Sequence, residues 1–246
     1  MQLKTILSVD WDYFFPDLSG FDWQMNEQNN FYYESIWPFR WGNVDLFNPK
    51  TKANRVVHPN FKLLKNFWGN VFDLSYLYNN SNFIAYINDS HSNIAELIEG
   101  KGTKFIIHNF DQHHDIFYDN QLKLDCSNWA YMLRNRIHQY HLYYPPWRKE
   151  KPESNLNDVK EYITSINYEL PDQLIDVNYV FVCRSSCWTP PWSDKQWLNF
   201  IFPFERSYKS VITDYVSRKR TFDFKLAKEF EANIREQMKG LNNEVK

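Results

Sequence analysis

Residues 105–118 read FIIHNFDQHHDIFY, an apolar run that ends in Asp111, Gln112, His113, His114 and Asp115. A short run rich in β-branched and aromatic residues reads as a strand covered on both faces, as in parallel sheets. Ligands in open parallel sheets bind just outside the carboxyl ends of the strands, which is where these two carboxylates and two imidazoles fall. Three other runs share this character: Leu3–Val9, Phe83–Ile87 and Tyr179–Cys183. With Lys104–Phe110 they make four expected strands.

Helical patterns lie between the strands. Asn60–Leu77 carries Phe61, Leu64, Phe67, Trp68 and Phe72 at helical spacing. Ser92–Glu99 reads as a short helix closed by Gly100 and Gly102. Ser127 is placed to cap a helix over Asn128–Tyr140, with Ala130, Leu133 and Ile137 on its apolar face. Further helices are expected at Leu156–Ile166, Ser193–Phe200 and Phe222–Lys239, the last strongly amphipathic. In Trp188-Thr189-Pro190-Pro191-Trp192 a proline reads as a rigid turn that fixes a helix start. Alternating strands and helices predict a single three-layer α/β/α domain over residues 1–246, built on a mostly parallel sheet. Trp147–Asn157 reads as a charged surface excursion. Asp17–Arg55 reads as a long excursion beside the first strand, of a length uncommon unless it binds something.

A chain of 246 residues can bury a full core without staples. Its net charge of −2 leaves no broad field for nucleic acid or a membrane surface, so neither is an expected partner. Aromatics make up 19% of the residues, and most are assigned to the core. The start, MQLKTILSVDWDYF, lacks the apolar run of a signal peptide, and no transmembrane stretch is evident. Cys126, Cys183 and Cys187 fit reduced thiols, so a cytoplasmic protein is expected.

Acidic and imidazole groups follow three of the four strands: Asp10 and Asp12 the first, Asp89 and His91 the second, and Asp111–Asp115 the third. In extended backbone, side chains two apart share a face. Asp10 would then align with Asp12, and Asp111 with His113 and Asp115. If the strands are neighbours, four carboxylates converge with His91 and His113. Oxygen and imidazole ligands suit Mn²⁺, Fe²⁺ or Zn²⁺, and the excess of carboxylates argues for two ions, with Mn²⁺ preferred. Four buried carboxylates need such positive charge to stay ionised together. His114 would point the other way, either behind the ligands or toward a substrate. His108 reads as a packed or hydrogen-bonded strand residue, and His138 and His141 as solvated groups near a helix end.

These motifs resemble the metal site of the ureohydrolases, the arginase and agmatinase family. That family combines a histidine after one strand, Asp-x-His-x-Asp after another, and Ser-x-Asp-x-Asp. Here the corresponding residues are His91, then Asp111, His113 and Asp115, then Ser8, Asp10 and Asp12. The resemblance implies one Mn²⁺ on Asp10, His91, Asp111 and Asp115, and a second on Asp10, Asp12, Asp111 and His113. The motif order is permuted, since Asp-x-Asp comes first. Ile87-Asn88-Asp89-Ser90 and Asp125-Cys126-Ser127-Asn128-Trp129 replace family segments that help recognise the amino-acid end of free arginine.

The chain is more similar to the atypical peptide arginases, which convert arginine side chains of a ribosomally made precursor peptide to ornithine and release urea. Asp10-Trp11-Asp12-Tyr13-Phe14, Cys126-Ser127-Asn128-Trp129 and Arg184-Ser185-Ser186-Cys187-Trp188-Thr189-Pro190-Pro191 carry that likeness. It implies a dinuclear hydrolase with a peptide substrate, with Asp12 as proton shuttle and His114 as a further catalytic candidate. Glu34 is a candidate carboxylate for holding the guanidinium, against its reading as a solvated loop residue. Asn128, Trp129 and Arg184 are candidate substrate-binding residues, against structural roles for each. The alternatives are a metal-dependent amide hydrolase of deacetylase-like architecture and a non-catalytic peptide-binding relative.

Overall fold

Among the described residues, seven strands pair into one sheet, each neighbouring pair parallel, in the order β5-β4-β3-β1-β6-β2-β7. They are β1 (Gln2–Asp10), β2 (Ile84–Asn88), β3 (Thr103–Phe110), β4 (Ile137–Tyr143), β5 (Ser165–Asn167), β6 (Tyr179–Cys183) and β7 (Ser210–Ile212). The computed structural model describes residues 2–16, 18, 36–42, 56–79, 83–98, 102–117, 123–153, 155–207 and 209–244. Much of the Asp17–Arg55 excursion, including Glu34, lies outside the described residues.

Period-two alternation along the strands divides the core into two layers. Leu7, Val9, Ala85, Ile87, Val180 and Val182 face one layer, where the helix α1 (Phe61–Val71) buries Phe67 and Trp68. The helix α2 (Asp194–Glu205) adds Trp197, Phe200 and Phe204 to that layer. Ile6, Phe105, Ile107, Leu142 and Phe181 face the other, covered by Ile94, Leu97, Trp129 and Leu156 from short helical turns. The expected α/β/α layering is therefore present. Burying each large side chain contributes roughly 1.5–3 kcal/mol, so the two layers dominate stability. The aromatic excess goes mainly here: Phe67 alone meets Phe14, Trp68 and Phe110 edge-on at ring separations of 5.1–5.2 Å.

The four expected strands all form. Asn60 caps α1, its Oδ1 accepting from the backbone of Leu63 at 3.1 Å. Pro191 opens a 3-10 turn, Pro191–Ser193, that leads into α2. The C-terminal helix α3 (Phe224–Glu244) matches the expected amphipathic segment. Its Ala227 carbonyl would lie 2.6 Å from a Cβ at Gly42, so the glycine allows the helical stretch at residues 36–42 to approach.

Three expected helices are corrected. Asn60–Leu77 is helical over Phe61–Val71, breaks at the extended Phe72 and resumes at Tyr76–Asn79. Asn128–Tyr140 is helical only at Trp129–Met132, and Ile137–Tyr143 is strand β4, paired to β3. His138 and His141 accordingly lie on a strand rather than near a helix end. In Leu156–Ile166 the helix stops at Val159, and β5 begins at Ser165. The latter two segments have short apolar patterns that fit either period, and pairing to an existing strand edge decides between them. Strand β7 spans three residues, too few to show any period.

Candidate metal centre

β1 and β3 are adjacent, so Asp10 and Asp111 emerge side by side at their carboxyl ends. β2 is not their neighbour, because β6 lies between it and β1. His91 nevertheless reaches the site from the 3-10 turn His91–Ile94, its ring stacked 5.8 Å from Phe181 of β6. The extended-backbone argument for Asp12 and Asp115 does not hold. Asp12 sits on the 3-10 turn Trp11–Phe14, and Asp115 adopts a left-handed φ of 55°. Turns after the strands bring these groups together.

Nδ1 of His91 lies 3.3 Å from Oδ2 of Asp10, 3.0 Å from Oδ2 of Asp111 and 3.0 Å from Oδ2 of Asp115. None of these contacts has hydrogen-bond geometry. Nε2 of the same ring is 2.7 Å from Oγ of Ser8. A ring that donates from Nε2 to Ser8 turns the Nδ1 lone pair toward three carboxylates. Without a metal ion a proton on Nδ1 relieves the repulsion, and a cation among the carboxylates would take that proton's place. A second group adjoins it: Nδ1 of His113 lies 3.1 Å from Oδ2 of Asp12 and 3.6 Å from Oδ1 of Asp111. Ligand atoms of Asp10, His91 and Asp111 lie within 4.8 Å of one another, as do those of Asp12, Asp111 and His113. Asp111 belongs to both groups.

Electrostatics support a cation-binding role. Burial, then the charges of Asp10 and Asp111, pushes the Asp12 carboxyl well above its usual range. Burial and Asp111 do the same to Asp115. Burial also disfavours ionised Asp111, but His113 and His91 outweigh it and hold that carboxyl low. Burial lowers the His91 pKa, yet Asp115, Asp10 and Asp111 reverse that and raise it well above the ordinary value. Protein groups alone leave this cluster short of positive charge, and divalent cations would supply it.

Supporting hydrogen bonds fix the ligands. Ser185, at φ 49°, donates from Oγ to Oδ2 of Asp10 at 2.6 Å. The Trp129 indole donates to Oδ2 of Asp115 at 2.5 Å. Asn109 donates to Asp111 at 3.3 Å and to the Tyr140 hydroxyl at 2.9 Å. Gln112 donates to the carbonyls of Asp12 and Phe15 at 2.8 and 2.7 Å, tying the first turn to the third strand end. Ser8 and Asn109 had a readable signal, since each stands two residues before a ligand on the same strand face. Ser185 and Gln112 had none, because their partners are distant in sequence.

Several candidates have other roles. His114 has both ring nitrogens engaged: Nδ1 accepts from the Ile116 backbone at 2.9 Å, and Nε2 is 3.1 Å from Oδ1 of Asn155. It shapes the turn and borders the cleft rather than offering a nitrogen for catalysis. Asn128 is buried, bonded to the backbone of Asp125 and Lys123 at 2.9 Å each. Trp129 is buried against His91 and positions Asp115 instead of touching substrate. Arg184 is buried behind the site, bonded to Asp89 at 3.1 Å, to Ser186 at 2.8 Å and to the Arg218 carbonyl at 2.9 Å.

A cleft opens over the cluster in two lobes that share Asp12, His113 and Trp188. One, of about 260 Å³, reaches Asp10, Asp115 and Glu153. The other, of about 230 Å³, is walled by Trp147, Arg148, Glu150 and Lys151. Trp147, Arg148, Glu150, Lys151 and Glu153 of the expected surface excursion therefore wall the cleft. The chain matches no family model, no curated protein and no solved structure. No helix among the described residues is long and apolar enough to cross a membrane, and no disulfide forms among them.

Proposed function

We propose that this protein is a dinuclear metal hydrolase that cleaves guanidino groups, converting arginine side chains of a ribosomally made precursor peptide to ornithine with release of urea. The observation that carries the reading is the sharing of Asp111 between the His91 and His113 groups. The five residues of these groups, with Asp115 beside His91, are those of the ligand sets that the ureohydrolase resemblance implies. The peptide substrate rests on the likeness to peptide arginases. Asp10, Asp111, Asp115 and His91 would hold one ion, and Asp10, Asp12, Asp111 and His113 the other, with Mn²⁺ preferred and Fe²⁺ or Zn²⁺ alternatives. When bound, such ions neutralise the carboxylates and acidify water for attack near neutral pH.

The remaining roles fall to side chains. Four carboxylates balance two divalent cations, so attraction for a cationic guanidinium needs a further acid. Glu153 supplies it at the wall of the larger lobe. Its Oε2 is anchored by the His114 backbone N–H at 2.9 Å and the Tyr144 hydroxyl at 2.5 Å. Asp12 borders both lobes, and its buried Oδ1 has no hydrogen-bond partner. It carries a proton from the attacking water to the leaving nitrogen. Urea release by Mn²⁺-loaded protein from arginine, agmatine and arginine-containing peptides tests the reading. Urea is expected chiefly from peptides, and none from any guanidino compound overturns it.

A further inference from the structure

The smaller lobe of the cleft has a chemistry that guanidinium binding leaves unused. Its wall is the 3-10 turn Pro146–Lys149 and the residues after it. Arg148 lines this lobe with its Nε buried and without a hydrogen-bond partner. No ion pair reaches its guanidinium among the described residues. A planar carboxylate is the group that matches an arginine fork lining a cavity without an acidic partner. Lys151 adds a second positive charge, and Glu150 offsets one of the two. Trp147 and Trp188 give the lobe its apolar sides.

The lobe is held at a fixed place relative to the metal centre. The Trp147 indole donates to Oε1 of Gln112 at 3.4 Å, and Gln112 in turn holds the Asp12 and Phe15 carbonyls. Asp12 and His113 border both lobes, so one ligand can occupy the two together. The cleft is thus bipolar, with Asp10, Asp115 and Glu153 in one lobe and Arg148 and Lys151 in the other.

We propose that the Arg148 lobe binds a carboxylate of the substrate, so that the enzyme acts on guanidino compounds that also carry a carboxylate. This rests on the guanidino-hydrolase reading for the identity of the other end of the ligand. The carboxylate belongs to an acidic residue beside the arginine in the peptide. Agmatine, which has none, is excluded as a good substrate.

Binding of guanidine-free, product-like probes to Mn²⁺-loaded protein, followed by calorimetry, tests this without catalysis. The probes are Ala-ornithine-Asp amide, Ala-ornithine-Asn amide, free ornithine and putrescine. A preference of about tenfold for the Asp over the Asn peptide identifies a side-chain carboxylate. A preference confined to ornithine over putrescine places the carboxylate on the amino acid itself and overturns the proposal. Arg148→Gln should erase whichever preference is seen and leave the carboxylate-free probes unchanged, whereas Lys151→Ala should reduce it about twofold. The Lys151 variant also serves if Arg148→Gln does not fold. Equal affinities for the Asp and Asn peptides, no binding of any probe, or a preference that survives Arg148→Gln overturns the proposal. Urea release separates the two readings. Carboxylate preference without urea removes the hydrolase, and urea without carboxylate preference removes the lobe.

Discussion

Oδ2 of Asp111 lies 3.0 Å from Nδ1 of His91, while Oδ1 of the same carboxylate faces His113. One residue therefore joins the two halves of the cluster. Asp111→Ala should abolish tight binding of both ions, whereas His91→Ala should spare the His113 half. Elemental analysis after dialysis against a weak chelator distinguishes two ions, one and none. Full occupancy in Asp111→Ala refutes the shared-ligand assignment.

Ser185 combines a left-handed backbone with a 2.6 Å hydrogen bond to Asp10. Ser185→Ala and Ser185→Gly both lose the bond, and each should weaken metal binding about tenfold or more. They should differ in stability, because only glycine is relaxed at positive φ. Glycine should be the more stable of the two by roughly 1 kcal/mol. Chelator competition and thermal melts read the two effects separately.

Glu153→Gln keeps an oxygen to accept from His114 and Tyr144 but removes the negative charge. A charge-assisted contact contributes about 1.5–3 kcal/mol, so KM for a guanidino substrate should rise roughly 10- to 100-fold. kcat should change much less. An unchanged KM counts against Glu153 as the guanidinium partner.

Asp194 is buried and bound by Arg220 through two guanidinium nitrogens, Nη2 at 2.6 Å and Nε at 3.1 Å. Arg220 also donates to the carbonyls of Ser186 and Thr189 at 2.7 and 2.8 Å. Arg220→Ala removes the nearest cation from a buried carboxylate, leaving Arg184 at 4.0 Å, and should cost about 3–5 kcal/mol in denaturant unfolding. It also loosens the segment that carries Ser185, so metal affinity should fall with stability. A loss below about 1 kcal/mol means that the pair is solvated.

Burial, and then the neighbouring His141 ring 4.8 Å away, lowers the His108 pKa from 6.5 to about 4. Between these values the unfolded chain binds a proton that the folded protein refuses. Stability from this group is complete above pH 6.5 and is lost as pH falls toward 4. The loss should be on the order of 2 kcal/mol after allowance for partial exposure. Denaturant titrations from pH 7 to 4.5 should show a shallower slope in His108→Gln than in the wild type.

The legible part of the fold was its local part. Leu3–Val9 and Lys104–Phe110 announce themselves by apolar runs, and the acids and imidazoles that follow them mark a strand-end site. All six proposed metal ligands came from such patterns, because residue type and strand periodicity are properties of a few neighbouring positions. Segments such as Ile137–Tyr143 were ambiguous for the same reason: their local pattern fits a helix, and only pairing to β3 makes a strand.

Side-chain destinations were not legible. Trp129 and Arg184 stand in motifs that suggest contact with substrate, yet one turns its indole to Asp115 and the other to Asp89. The chain by itself determined the alternation of strand and helix, the two-faced strands and the kind of chemistry at their ends. Only the tertiary structure decided that β6 separates β1 from β2, that His91 crosses it to reach Asp10, and that Trp147–Lys151 walls the cleft. Those outcomes depend on pairings between residues far apart in sequence, whose free energies no local pattern contains.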